Sequence, residues 1–147
     1  MDIEDHGRPK VEATDKKTIL KQKSIEWVTE AARNNYTYNF SCLGRPIIQL
    51  PQDMVALQEL IWEIKPDLII ETGIAHGGSL VLSASMLAML DMCDAIATGT
   101  TINPKESKRK VVGVDIDIRE HNRIEIEGHP MSSRIQMIEG SSIAPDI

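Results

Sequence analysis

Three short apolar runs constrain this chain more than any other feature. "LIIE" (68–71), "VVGVDID" (111–117) and "RIQMIEG" (134–140) are rich in branched side chains, and each runs into an acidic or glycine-bearing turn. The first, "LIIE", shows no polar alternation, so it reads as a central strand buried on both faces, as strands of a parallel sheet are. Parallel neighbours need a long crossover, and the intervening segments read as helices. The order helix, helix, β, α, β, α, β predicts an α/β fold with right-handed crossovers. Three such strands make the N-terminal half of a Rossmann-like doubly wound sheet, in the order 3-2-1 with flanking helices.

The helical segments have their own signals. In 15–34, Ile25, Val28 and Ala32 share a stripe with Trp27 beside it. "PQDMVALQELIWEIKPD" (51–67) starts on Pro51, suited to a first helical position, and carries Leu57, Leu60, Ile61 and Ile64 at i, i+3, i+4, i+7. Pro66 stops it and pushes Lys65 away from helical geometry. Residues 80–90 are apolar nearly all round, which predicts a buried helix too short to span a bilayer. Residues 93–110 read as a polar connection. Residues 118–127 read as a polar helix with Gly128 as its C-cap. "NNYTYNFSCLGRP" (34–46) breaks the first helix and holds both tyrosines and the single phenylalanine. Such rings seal one end of a core or pack under a lid or against a ligand.

Residues 1–14 are charged and aperiodic, a flexible tail before one α/β domain over 15–147. A net charge of −6 gives no nucleic-acid footprint. No apolar leader opens the chain. Cys42 and Cys93 lie too far apart to form a metal-type pair or a disulfide framework, so reduced thiols in a cytoplasm are expected.

"DLIIETGIAHGGSL" (67–80) holds the chemistry. A dinucleotide fingerprint needs G-x-G-x-x-G, but Ala75 occupies the middle glycine position. A phosphate loop needs G-x-x-x-x-G-K-[ST], but Ser79 stands where the lysine belongs. What remains is E-x-G-x-x-x-G-G, built on Glu71, Gly73, Gly77 and Gly78. A carboxylate at the strand tip repels pyrophosphate and favours an ammonium. The glycines leave room for a ligand against bare backbone. S-adenosylmethionine, with its cationic amino-acid tail, sulfonium and ribose, fits that description; a tight β-to-α turn without a ligand is the plain alternative. Asp115 ends the second run, where it either accepts ribose hydroxyls or caps the next helix. Asp117 shares its side only if the strand continues. Gly140, Ser141 and Ser142 follow the third run and would lie beside an adenine. His76, inside the loop, either meets the cofactor or borders the substrate, or is a structural loop residue. His121 and His129 read as surface residues, and no ligand spacing supports a metal site at Asp115, Asp117 and His121.

Beyond that reading, "YNFSCLGRPIIQLPQDMVALQELIWEIKPDLIIETGIAHGGSL", "VVGVDIDIREHNR", "EGHPM" and "IQMIEGSSI" together resemble the cephalosporin hydroxylase family over 36–143. That family is similar to class I S-adenosylmethionine-dependent methyltransferases and related to rhamnosyl O-methyltransferases. The resemblance implies an O-methyltransferase. It puts Glu71, Gly73 and Gly77 near the methionine portion, Asp115 on the ribose and Gly140–Ser142 on the adenine side. It also implies Mg2+ in the full-length family, held by carboxylates beginning after a fourth strand. That strand and its ligands are absent here, so the expectation is a C-terminally truncated form with cofactor motifs, no metal site and no identifiable catalytic residue. The acceptor would be a small-molecule hydroxyl on a sugar, glycolipid or antibiotic-like compound, selected partly by 36–50. The open edge of "LIIE" predicts a homo-oligomer. The alternatives are a non-catalytic binding or dimerisation module and, against the failed fingerprint, a nicotinamide-dependent oxidoreductase.

Overall fold

The computed structural model describes residues 14–145 and 147. It divides into two units, 1–36 and 37–147. In the first, helix α1 spans Thr14–Arg33. Its stripe stays open: Ile25 and Val28 are exposed. Trp27 meets Tyr36 edge-on, with ring centroids 5.5 Å apart. The tail expected over 1–14 lies outside the described residues except for Thr14, which opens α1.

The second unit begins with a feature the sequence did not announce. β1 (Phe40–Cys42) and β2 (Arg45–Ile47) form an antiparallel hairpin with Phe40 opposite Ile47 and Cys42 opposite Arg45. Leu43 and Gly44 join them at φ 46° and 89°, the twist of a primed two-residue turn. Such turns usually advertise themselves with Asn-Gly or Asp-Gly, and this one does not. Phe40 packs with Cys42, Ile47, Val81 and Leu82, while Tyr38 is exposed. The rings therefore do not seal the core together. Burial pushes the Cys42 thiol pKa up, and Cys42 and Cys93 are both free thiols.

Helix α2 spans Pro51–Ile64 and ends on Lys65 in left-handed geometry, whose N–H donates to the Ile61 carbonyl at 2.9 Å. Only part of its predicted stripe faces inward. Ile61 is buried and Leu57 packs on the core, but Leu60 and Ile64 are exposed. The helix meets α3 along a narrower arc than its apolar surface covers.

β3 (Leu68–Thr72), β4 (Lys110–Asp115) and β5 (Ile135–Glu139) form a parallel sheet with β4 in the middle. Glu71 lies opposite Gly113, and Asp115 opposite Glu139. Helix α3 (Gly78–Thr98) connects β3 to β4, and helix α4 (Glu120–Glu127) connects β4 to β5. Leu80, Ala84, Leu87, Val111, Ile118 and Ile126 make the core, with Ile61 from α2. Ile69 packs on that core, whereas its neighbours Leu68 and Ile70 point away and are 51% and 64% exposed. The strand predicted to be buried on both faces is thus a sheet edge with one face open.

α3 is longer than its apolar run suggests. No breaker intervenes before Gly99, which caps the helix at φ 68°, so the first residues of the expected polar connection are helical. At 21 residues it is long and apolar enough, by length and composition, to cross a bilayer. Here Leu80, Val81, Ala84 and Leu87 are spent in the core. Gly128 caps α4 as expected, but in right-handed geometry.

An ionic cluster, unread in the sequence, fastens the far end of α3. Asp91 accepts from Ser107 Oγ at 2.5 Å and pairs with Arg109 and Arg134 at 2.6 Å each. Arg109 also pairs with Asp94 at 2.8 Å. Burial pushes the Asp91 carboxyl up, but Ser107 and the two guanidinium groups outweigh it and hold it below the usual carboxylate range.

The core beneath the sheet and the open face of its edge strand predict unequal mutational costs. Leu87→Ala, at a site with no exposure, should lower unfolding free energy by about 3 kcal/mol. Ile70→Ala, on the open face, should cost about 1 kcal/mol or less. Urea titration of both variants against the parent checks the difference.

Candidate functional site

The loop between β3 and α3 is held from both of its polar sides. On the amide side, Asp115 Oδ2 at the tip of β4 accepts from Ile74 N at 2.6 Å and Ala75 N at 3.4 Å. On the carbonyl side, Arg45 Nε and Nη2 donate to His76 O at 3.0 and 2.8 Å, and Asn122 Nδ2 donates to Ala75 O at 2.9 Å. Arg45 comes from β2 and Asn122 from α4, and both are buried. They touch each other at 3.2 Å, and Arg45 also pairs with Glu125 at 2.7 Å. Gly73 N donates to Val114 O and Gly77 N to Ile74 O, both at 2.8 Å. The N–H groups of residues 73, 74, 75 and 77 are therefore all used within the protein.

This clamp holds Ala75 at φ 46°, a left-handed conformation that a side chain disfavours. Burial pushes the Asp115 carboxyl up. Backbone N–H groups of Ile74, Asp117, Ala75 and Ile116 outweigh that and bring it below the usual carboxylate range. Asp115 does not cap α4, whose N-cap is Arg119 without a side-chain bond.

Two hollows flank the loop. The first, about 440 Å³, is lined by Glu71, Gly73, Ala75, His76, Ser79 and Ser83, with Ile47, Ile48 and Gln49 after the hairpin and Leu57 and Ile69. Glu71 Oε1 accepts from Ser83 Oγ at 2.5 Å. The second, about 450 Å³, is lined by Tyr38, Ile48, Ala75, His76, Asp115, Asp117, Arg119 and Asn122. Ile48, Ala75 and His76 border both. Asp117 lies beyond β4, and its N–H donates to Asp115 Oδ1 at 3.2 Å.

The glycines divide by role. A Cβ on Gly73 (φ 87°) would meet nothing within 4 Å, so its bare backbone is open. One on Gly77 would run into Ile126, and one on Gly78 into the Pro46 carbonyl. These two let α4 and the hairpin close on the loop. Gly140, Ser141 and Ser142 line neither hollow; Gly140 N donates to Asp115 O at 2.8 Å, and Ile147 packs over Gly140. His121 is exposed. His129 bridges instead: its Nδ1 accepts from Met131 N at 3.1 Å, which leaves Nε2 to donate to Leu43 O at 3.0 Å.

Arg45 and Asn122 are the functional residues that sequence reasoning missed. The first sits before a proline and the second in a helix that reads as polar, and neither position signals a loop brace. Among the described residues, no group of three or more His, Cys, Asp or Glu side chains is placed to hold a metal ion.

Residues 34–147 match the sequence model of a family described as rhamnosyl O-methyltransferase/CmcI. Comparisons with curated proteins and with solved structures gave no match.

Two predictions follow from the loop geometry. Gly73→Ala should fold, at a cost of about 1–2 kcal/mol for left-handed backbone. Gly78→Ala should abolish soluble, cooperatively unfolding protein, because backbone blocks it; circular dichroism separates the two. Asp115 has a depressed folded pKa, so its contribution is present above the unfolded value of about 3.9 and lost as pH falls through the lower folded value. The stability gap between parent and Asp115→Asn should be widest near pH 7 and narrow progressively below pH 4 in urea titrations.

Proposed function

The chain belongs to the rhamnosyl O-methyltransferase/CmcI family, and from that premise we propose that it binds S-adenosylmethionine across the glycine loop and serves methyl transfer to a small-molecule hydroxyl. One observation carries this reading. The loop amides that would cradle a diphosphate are consumed by Asp115, Val114 and Ile74, while a carboxylate stands at the strand tip. An anion finds few donors there and one repulsive charge. An ammonium group finds an acceptor in Glu71.

The parts of the cofactor then sort by chemistry. Glu71, steadied by Ser83, faces the amino-acid tail, with open Gly73 beside it. Asp117, and what remains of the Asp115 acceptor capacity, face the ribose hydroxyls. Ser141 and Ser142, next along from β5, suit the adenine side. The three-strand parallel sheet with flanking helices is compatible with half of a Rossmann-like domain.

The cofactor supplies a methyl group on a positively charged sulfur. When bound, it would deliver that methyl group to the acceptor oxygen. The chain's part is to fix the cofactor and hold the acceptor in line. His76 is the one imidazole bordering both hollows. The described residues offer no donor set for the Mg2+ that the resemblance implies, so the ion has no assigned role in this chain.

A second reading, a binding module that pairs with its own copy, is favoured by the exposed Leu68 and Ile70 on the β3 edge strand. Isothermal titration with S-adenosylhomocysteine and with NAD tests the first reading. The expected result is micromolar or tighter binding of the former and none of the latter. Binding of NAD alone overturns it.

A further inference from the structure

The outer face of α3 lacks what a solvent-facing helix normally carries. The charged residues of this helix are Asp91 and Asp94 alone. Both pair with Arg109, and Asp91 also with Arg134, on the far side of the helix. The outer side shows Ser85, Ala88, Met89, Met92, Cys93 and Ile96, none of them charged. Met89 is 50% exposed and Ile96 75%, with Met92 exposed between them. Beside this strip a groove of about 270 Å³ runs between α2 and α3, with half-exposed Trp62 opposite Met86, Met89 and Cys93. A helix facing water puts polar and charged residues on that side, and a contiguous apolar patch marks an interaction surface.

The spacing of the strip indicates what fits it. Ser85, Met89, Met92 and Ile96 follow one another at intervals of four, three and four, the seam of a helix pair. Laid antiparallel against a second copy, the seam sets Met89 against Met92 and Ile96 against Ser85. The large residue at each end then meets a small one, and the axes can close. A parallel pair sets Ile96 on Ile96 and Ser85 on Ser85, crowded at one end and hollow at the other. The Ser85 hydroxyl donates to its own helix, to Leu82 O at 2.7 Å, so covering it strands no donor. A lipid surface fits worse. The adjoining α2 carries Asp53, Glu59 and Glu63 against one following cation, Lys65, and anionic headgroups repel that balance. Covering Trp62, Met89, Met92, Ile96 and the small residues among them would remove roughly 500–600 Å² per copy, enough for a specific interface and short of an obligate one.

We propose that two copies of this chain pair antiparallel through the outer face of α3, with Trp62 at the rim, as a reversible dimer. This surface is separate from the open edge of β3, and it does not depend on what the glycine loop binds. Cys93 flanks the seam and is covered in the pair, whereas Cys42 is buried in either state.

Sedimentation velocity of the full chain over a dilution series, with thiol labelling at each concentration, tests this. The parent should pass from dimer to monomer on dilution, and Cys93 should label several-fold faster over the same range. Met92→Lys and Ile96→Lys, at exposed positions, should each raise the dimer dissociation constant at least about tenfold, because each buries an unpaired charge. Their circular dichroism should match the parent. Ile70→Lys, on β3, should leave the constant within about twofold. A parent that is monomeric throughout overturns the proposal. So does a dimer unmoved by both α3 variants, a dimer dispersed by Ile70→Lys instead, or Cys93 labelling that ignores concentration. The labelling series needs only the parent, so it decides the matter even where a lysine variant fails to fold.

Discussion

A carboxylate at the tip of one strand holds the backbone at the tip of the next. Asp115 takes two amides of the neighbouring loop, and Arg45 and Asn122 take the adjoining carbonyls. With both polar sides of the peptide units engaged, the loop has few alternative hydrogen-bonded states. That is what keeps Ala75 left-handed and lets Gly77 and Gly78 sit under Ile126 and against Pro46. The hollows on either side take their shape from this clamp, so they are formed before anything occupies them, and less ordering entropy would oppose binding there.

The same clamp explains which parts of the molecule could be read in advance. α2 was legible because Pro51 and Pro66 bracket it, and the end of α4 because Gly128 stands past it, whereas α3 runs on past its apolar stretch to Gly99. The strands were legible from their apolar runs. The hairpin was not: each strand has three residues, too few for periodicity, and Leu43 gives no sign that it will turn left-handed. Within the site, Glu71 and Asp115 stood out because acids at strand tips are conspicuous. The use made of Asp115 was hidden, because it depends on strands far apart in sequence lying side by side. Arg45 reaches His76 across 31 positions and Asn122 across 77, and no local pattern encodes either contact.

Burial on one face alone explains the rest of the departures. The core of the second unit lies against the face bearing Ile69, Val111 and Met137, and it absorbs a helix of bilayer-spanning length. The opposite face keeps Leu68 and Ile70 in solvent. A continuous apolar run means that both faces are suited to cover, which is a weaker statement than that both are covered. The apolar stripe of α2 makes the same point, since Leu60 and Ile64 fit a packing arc wider than the one in use.

Selectivity in such a groove is a difference between two affinities, and repulsion sets it as much as attraction. Glycine loops that bind diphosphates present free amides. This loop has turned the amides of residues 73, 74, 75 and 77 inward to Asp115, Val114 and Ile74, with a carboxylate lining the hollow beside them. Glu71 supplies the one carboxylate that lines the first hollow. Two carboxylates in the same hollow would raise each other's pKa and weaken their own hold on a cation. A single carboxylate avoids that cost.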